Sequence, residues 1–249
     1  MSIYRKRGFY EKYIKRLLDI ICSLAAIILL SWLFIIIALL VRVKMGSPIV
    51  FKQPRPGLID PVTGKERIFY VYKFRTMTDA RDENGELLPD DMRLGKFGKA
   101  LRASSLDEVL EAFNILKGDM SLIGPRPQLV RDMVFMSDKQ RMRHTAKPGL
   151  SGLAQVMGRN AITWEDKINW DLKYIEKVSF LNDLKILVLT VKKVFGKGES
   201  SEEIDVTDDY GDALLKAGKV TKPQYDAHQA YAKKLIEESY NRKKSGHKK

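Results

Sequence analysis

From Ile20 to Val41 the chain carries no charged residue: IICSLAAIILLSWLFIIIALLV. A run of about 22 residues reaches roughly 33 Å as an α-helix, enough to cross a hydrocarbon core. A soluble helix seldom stays apolar on every side for so long. The run also exceeds a signal-peptide h-region, and no small-residue cleavage site follows it. Cations flank both ends: Arg5, Lys6, Arg7, Lys12, Lys15 and Arg16 before, Arg42, Lys44, Lys52 and Arg55 after. Basic residues favour the cytoplasmic side of a membrane. Both ends satisfy that rule only if the chain enters and returns on one face. Two topologies follow: a re-entrant helical hairpin, which the charges favour, and a simple span with one basic end outside. Ser31 lies near the midpoint, and a serine hydroxyl bonded back to an earlier carbonyl bends a helix mildly. Proline or glycine is the usual means of a sharp break, and the run has neither. The preceding YEKYIKRLLDI is an amphipathic basic approach suited to the headgroup layer.

Beyond the apolar run the period changes. GSPIVFKQPRPGL is punctuated by three prolines and two glycines, which predicts a turn-rich, non-helical stretch. RIFYVYKFRTM is dense in β-branched and aromatic residues and reads as a strand, hairpinned with IVFKQ across PVTGKE. Alternation puts Lys73 and Arg75 on one face of that strand. They serve equally well as an anion-facing pair or as cations on a solvated strand edge. TDARDENGELLPDDMR reads as a surface loop or short helix. RLGKFGKALR lacks the spacing of a phosphate-cradling loop and reads as a turn leading into the next helix. Leu106, Val109, Leu110, Phe113 and Leu116 then fall at helical spacing, with Gly118 as the C′ residue.

Composition changes the picture in two ways. The net charge of +13 directs attention to an anionic partner: nucleic acid, acidic lipid or a phosphate-bearing small molecule. A single cysteine, Cys22, excludes an internal disulfide framework and a cysteine-rich zinc site. The histidines His144, His228 and His247 are scattered and form neither a triad pattern nor a HExxH motif. Chemistry must therefore rest on carboxylates, arginines, lysines or hydroxyls.

Asp107-Glu108 is the candidate. One reading is structural: Ser105 and Glu108 fit an S-x-x-E capping box, and Asp107 adds a favourable charge at the positive end of a helix. The other is chemical. A carboxylate kept ionised by the helix dipole can attack phosphorus, while its neighbour, pointing about 100° away, serves as a metal ligand. Arg102 precedes the helix, and Arg126 stands in the stiff turn Gly124-Pro125-Arg126-Pro127, which suits an arginine aimed at phosphate.

KRLLDI, GSPIVFKQPRPGL, YKFRTM, LRASSLDE, NILKGDMSLIGPRP, KPGLSGLAQVMGRN and WDLKYIEKVSFLNDLKIL occur in this order. Together they resemble the bacterial sugar transferase family, the small monotopic phosphoglycosyl transferases, over about residues 13–195. The resemblance implies transfer of a sugar 1-phosphate from a UDP-sugar to a membrane polyprenyl phosphate, undecaprenyl phosphate, with release of UMP. That reaction opens glycan, capsule or exopolysaccharide assembly. The resemblance assigns Asp107 as the nucleophile of a phosphosugar–aspartyl intermediate and Glu108 as the ligand of a Mg²⁺ cofactor. It matches Arg102, Arg126, Asp171 and Asp183 to family residues and places the segment holding Arg159 near the nucleotide. With Lys73 and Arg75, these are the expected substrate-binding residues.

The expected fold class is α+β, mainly helical, with a small β-hairpin and an N-terminal membrane-inserted, re-entrant helix. The expected divisions are a membrane-associated helix at 1–45, a catalytic domain at 46–195, and an acidic linker with a helical extension at 196–249. The extension reads as a helical hairpin turning near Lys219–Pro223, either a docking module or a dispensable appendage. The expected location is the bacterial inner membrane with the catalytic domain on the cytoplasmic face. Expected partners are the UDP-sugar, the polyprenyl phosphate, the membrane, and a second copy or downstream glycosyltransferases, with no nucleic acid. One departure bears on topology: the family carries Ser-Pro in its membrane helix, and this chain has Ser31-Trp32. Two other classes remain open. A membrane-anchored nucleic-acid or regulatory protein would bind DNA or RNA salt-sensitively, although no nucleic-acid-binding signature is present. A membrane phosphohydrolase would use the same carboxylates without a lipid acceptor.

Overall fold

The computed structural model describes residues 3–158, 163–195 and 209–246. Arg159 and most of the acidic linker lie outside the described residues. In chain order the helices and strands are α1 (Lys15–Leu29), α2 (Ser31–Met45), β1 (Val50–Ile59), β2 (Glu66–Phe74), α3 (Asp90–Arg93), α4 (Lys96–Ala103), α5 (Glu111–Lys117), β3 (Ser121–Ile123), α6 (Val130–Met133), α7 (Asp138–Arg141), β4 (Gly149–Ser151), α8 (Leu153–Met157), α9 (Trp164–Glu176), α10 (Phe180–Phe195), α11 (Tyr210–Lys216) and α12 (Lys222–Gly246). A wide π-type turn, Tyr10–Ile14, leads into α1. The chain divides into two compact units, one of residues 19–53 and 71–117, the other of 1–18, 54–70 and 118–249.

In the first unit the apolar run is two helices, with a bend of 62° between Tyr10–Leu29 and Ser31–Met45. Among the described residues no single helix is long and apolar enough to cross a membrane. The break is sharper than Ser31 alone predicts. Leu30 sits at φ −99°, ψ 8°, and the Ser31 hydroxyl donates to the Ile28 carbonyl at 2.9 Å. Packing fixes the direction of α2: Ile37 and Val41, one turn apart, are buried against Phe74, Leu101 and Leu110. Tertiary contacts thus override a sequence that would locally continue as one helix. Leu33, Phe34 and Ala38 pack partly against this core, while Ile28, Leu29, Trp32, Ile35 and Leu39 stay exposed.

The hairpin of β1 and β2 is an antiparallel two-stranded sheet. Its turn forms where expected, because Asp60 accepts hydrogen bonds from the Val62 and Thr63 amides at 2.8 and 2.9 Å. β1 runs further than IVFKQ, through Pro54 and Pro56. A two-stranded sheet leaves an open edge on each strand, where a missing N–H costs nothing.

The second unit contains a sheet the sequence did not predict. β3 pairs parallel with β4, Ser121 opposite Gly149 and Ile123 opposite Ser151. Three-residue strands are too short to show alternation. Ile123, Ala146, Tyr174, Ile175 and Ile186 form the core that joins this sheet to α9 and α10. The C-terminal extension folds as the expected helical hairpin, α11 and α12 about a turn at Gly218, where φ is +66°. Ala232 of α12 is buried against Ile68 of β2 and Val130 and Met133 of α6. Tyr210 of α11 packs with Met136 and Ile168.

Candidate active site

The site in the first unit is built around a tight turn. Ser105 is the one non-glycine residue at positive φ among those described, at +54°, and Leu106–Glu108 form a single 3-10 turn. The next α-helix, α5, starts only at Glu111 and ends with Gly118 at φ +89°, the predicted C′ glycine. The capping box read at Ser105 does not form: Ser105 is left-handed and its side chain makes no capping hydrogen bond. Nor does Asp107 occupy the first turn of an α-helix, which removes the dipole as the reason for its charge state.

Asp107 is 8% exposed. Burial pushes its carboxyl above the ordinary carboxylate range, and the neighbouring Glu108 charge adds to this. Lys73 and Arg102 pull the other way. Lys73, reaching in from β2, places Nζ 2.6 Å from Glu108 Oε1 and 3.4 Å from Glu111 Oε1. Arg102, on α4, donates from Nε to the Thr76 hydroxyl at 3.0 Å. Gly98 lets α4 come this close, because a Cβ there would lie 1.9 Å from the Thr76 carbonyl oxygen. The fold therefore gathers Lys73, Arg102, Asp107 and Glu108. It adds two residues not singled out in the sequence, Thr76 and Glu111. Glu111 had one signal, its i,i+4 spacing from Asp107, but its contact with Lys73 is tertiary.

The other expected residues stand elsewhere. Arg75 is not beside Lys73: the strand ends at Phe74, and the Arg75 guanidinium donates to the carbonyls of Met45 and Ser47 and to Asp79. It thereby caps the C-terminal end of α2. In the second unit, Asp171 is buried and paired with Arg143, whose Nη2 donates to the Arg126 carbonyl at 2.7 Å. Asp183 accepts from Tyr10 and Tyr174, each at 2.8 Å, and from Lys15. Asp171 and Asp183 thus hold backbone and helices together within their own unit. Arg143 went unnoticed in the sequence because nothing local marks a buried arginine.

Residues 10–197 match the profile of the bacterial sugar transferases. The chain belongs to this family. It is an enzyme of the transferase class. A Bacillus subtilis relative, the uncharacterized sugar transferase EpsL, is 49% identical over 181 residues, covering 73% of this chain and 87% of that protein. The UDP-glucose:undecaprenyl-phosphate glucose-1-phosphate transferase of Klebsiella pneumoniae is 39% identical over 191 residues, 73% of this chain. The UDP-N-acetylgalactosamine-undecaprenyl-phosphate N-acetylgalactosaminephosphotransferase of Aeromonas hydrophila is 37% identical over 191 residues, also 73%. This sugar transferase spans 40% and 44% of the length of those two. The family match begins at residue 10 and ends at 197, so α11 and α12 lie beyond it.

The donor set suits a hard divalent cation. Carboxylate oxygens are what Mg²⁺ takes, and it needs only one or two from protein when phosphates and waters complete its shell. Glu108 and Glu111 both meet Lys73, and Asp107 feels the charges of Glu108, Lys73 and Arg102. Among the described residues no group of three His, Cys, Asp or Glu forms a ready-made metal cage.

Proposed function

We propose that this sugar transferase moves a sugar 1-phosphate from a UDP-sugar to undecaprenyl phosphate and releases UMP. The observation that carries this is the buried Asp107 carboxylate on its 3-10 turn, under the opposing charges of Glu108 and of Lys73 and Arg102. The names of the Klebsiella and Aeromonas relatives describe the same type of reaction. They differ in the sugar, so the donor's identity belongs to the pocket and not to the carboxylates.

An Asp107 carboxylate oxygen attacks the phosphorus that bears the sugar. A P–O bond forms, the bond from that phosphorus to the bridging oxygen breaks, and UMP leaves with the electron pair. A phosphate oxygen of the lipid then attacks the same phosphorus. The aspartyl P–O bond breaks, the carboxylate is restored, and the lipid carries a sugar diphosphate. Neither step needs a net proton transfer, so a general base is not required. Arg102 lies beside Asp107 and stabilises charge on the phosphoryl oxygens in both steps. Lys73 fixes the rotamer of Glu108 so that it stays apart from Asp107. Glu108 would hold Mg²⁺, which when bound supplies charge neutralisation for the diphosphate and its leaving group. For Arg126, Arg159, Asp171 and Asp183 the resemblance alone supports a substrate-side role.

Two substrates of opposite solubility reacting at one carboxylate imply ping-pong kinetics. They also place the carboxylate near the membrane surface. The bent pair α1 and α2 supports a re-entrant insertion: it breaks at Leu30, keeps its outer apolar side chains uncovered, and has cations at both ends. By that topology the catalytic face lies on the cytoplasmic side of the inner membrane. The test is UMP release from a panel of UDP-sugars, with and without undecaprenyl phosphate. Multiple turnovers are expected only with the lipid present. Steady UMP release without the lipid would mark a hydrolase instead.

A further inference from the structure

A basic cavity lies within the second unit. The N-terminal segment folds over the tip of the β1–β2 hairpin and encloses an open cavity of about 140 Å³. Its walls include Tyr4, Arg5, Arg7 and Lys12 on one side and Leu58 and Ile59 on the other. Arg5 is already engaged: its Nη2 meets Glu11 at 2.7 Å and its Nε donates to the Thr145 hydroxyl at 3.2 Å. Those contacts pin the segment in place. Arg7 and Lys12 have no ion pair or side-chain hydrogen bond among the described residues, so two uncompensated cations face the same small space. Arg5 and Arg7 precede the family match, which starts at residue 10.

We propose that this cavity binds a phosphate group, with Arg7 and Lys12 as its direct ligands and Arg5 as the residue that positions the segment. A phosphate needs several charge-assisted donors, and guanidinium with ammonium supplies them. The apolar wall of Leu58 and Ile59 beside those cations suits an amphiphilic phosphate, and the segment leads directly through Tyr10–Ile14 into the apolar helix pair. Two sources share this chemistry: the headgroup of an anionic phospholipid, and a free phosphate in solution. The role assigned to this site is binding and not chemistry.

The experiment uses full-length enzyme in a neutral detergent and follows its melting temperature. The probes are dihexanoyl-phosphatidylglycerol, inorganic phosphate, and dihexanoyl-phosphatidylcholine as the zwitterionic control. Saturable stabilisation is expected with phosphatidylglycerol and not with phosphatidylcholine. A matching rise with inorganic phosphate would assign the free anion as sufficient, and a rise with the lipid alone would assign the headgroup. In R7Q/K12Q the apparent affinity should weaken by about tenfold or more, the effect of two lost charge-assisted contacts. R7K/K12R, which keeps both charges, should recover most of it. The substitution R102Q, at the carboxylate site, should leave the response in place. Absence of a saturable shift with both anions, or an equal shift in R7Q/K12Q, would overturn the proposal. Because binding is read directly, either result is independent of whether sugar phosphate transfer occurs.

Discussion

Asp107 and Glu108 are adjacent in sequence and different in circumstance. Asp107 is buried with a carboxyl pushed up, while Glu108 is held by Lys73. Asp107→Asn keeps the shape and removes the proposed nucleophile, so UMP release should fall by at least about a thousandfold. The acid side of the activity profile should lie above the ordinary carboxylate value of 3.8, since Asp107 must lose its proton to attack and burial disfavours that loss. Glu108→Gln removes a charge that raises the Asp107 pKa, so the same limb should move to lower pH, and the Mg²⁺ concentration needed for half-maximal rate should rise. UMP release measured across pH and Mg²⁺ checks both. An unchanged limb in Glu108→Gln would contradict the electrostatic coupling. The sequence exposed this pair because two adjacent acids between two arginine-bearing motifs are uncommon. It misjudged their setting because a left-handed Ser105 cannot be inferred from S-x-x-E. Arg75 shows the same limit: strand alternation paired it with Lys73, whereas the strand ends one residue before it.

At the scale of elements, long patterns were legible and short ones were not. The apolar run, the hairpin turn at Asp60 and the C-terminal helical hairpin all follow from pattern and turn chemistry. The β3–β4 pair and the 62° break at Leu30 do not, because long-range packing decides them. The extension is docked and not merely appended. Ala232→Asp places a carboxylate among Ile68, Val130 and Met133 and should cost about 2–4 kcal/mol. Chemical denaturation of the full-length protein measures this, and a change near zero would mean that α12 contributes little to stability. For the bent helix pair, cysteines introduced at Ser2 and Ser47 should be labelled from the same side of sealed vesicles. Labelling from opposite sides would replace the re-entrant arrangement with a span.

Across the whole molecule, the +13 charge pointed to an anionic partner without ranking nucleic acid, acidic lipid and phosphate-bearing small molecules. What composition could not show is how buried charges are arranged in the second unit. Arg141 pairs with both oxygens of Glu66, and His144 lies between Glu66 and Arg143. Hydrogen bonds from His144 and Arg141 outweigh burial and hold the Glu66 carboxyl at about 2, against an ordinary 4.5. Burial, with the Arg143 charge behind it, keeps the His144 pKa below the ordinary 6.5. In both cases the unfolded chain takes up protons that the folded one refuses, so stability must fall as pH falls. It should be level above about pH 7, decline from near 6.5 as His144 protonates on unfolding, and decline again below 4.5 by roughly 3 kcal/mol from Glu66. Glu66→Gln should remove most of the second decline in denaturation curves taken across that range. Above this architecture stands the proposed covalent step, and intact-protein mass spectrometry reaches it most directly. Enzyme mixed with its UDP-sugar in the absence of undecaprenyl phosphate, then quenched, should gain the mass of one sugar phosphate, mapped by fragmentation to Asp107 and absent in Asp107→Asn. An adduct on another side chain, or UMP formed with no adduct at any time point, would contradict the central role given to that carboxylate.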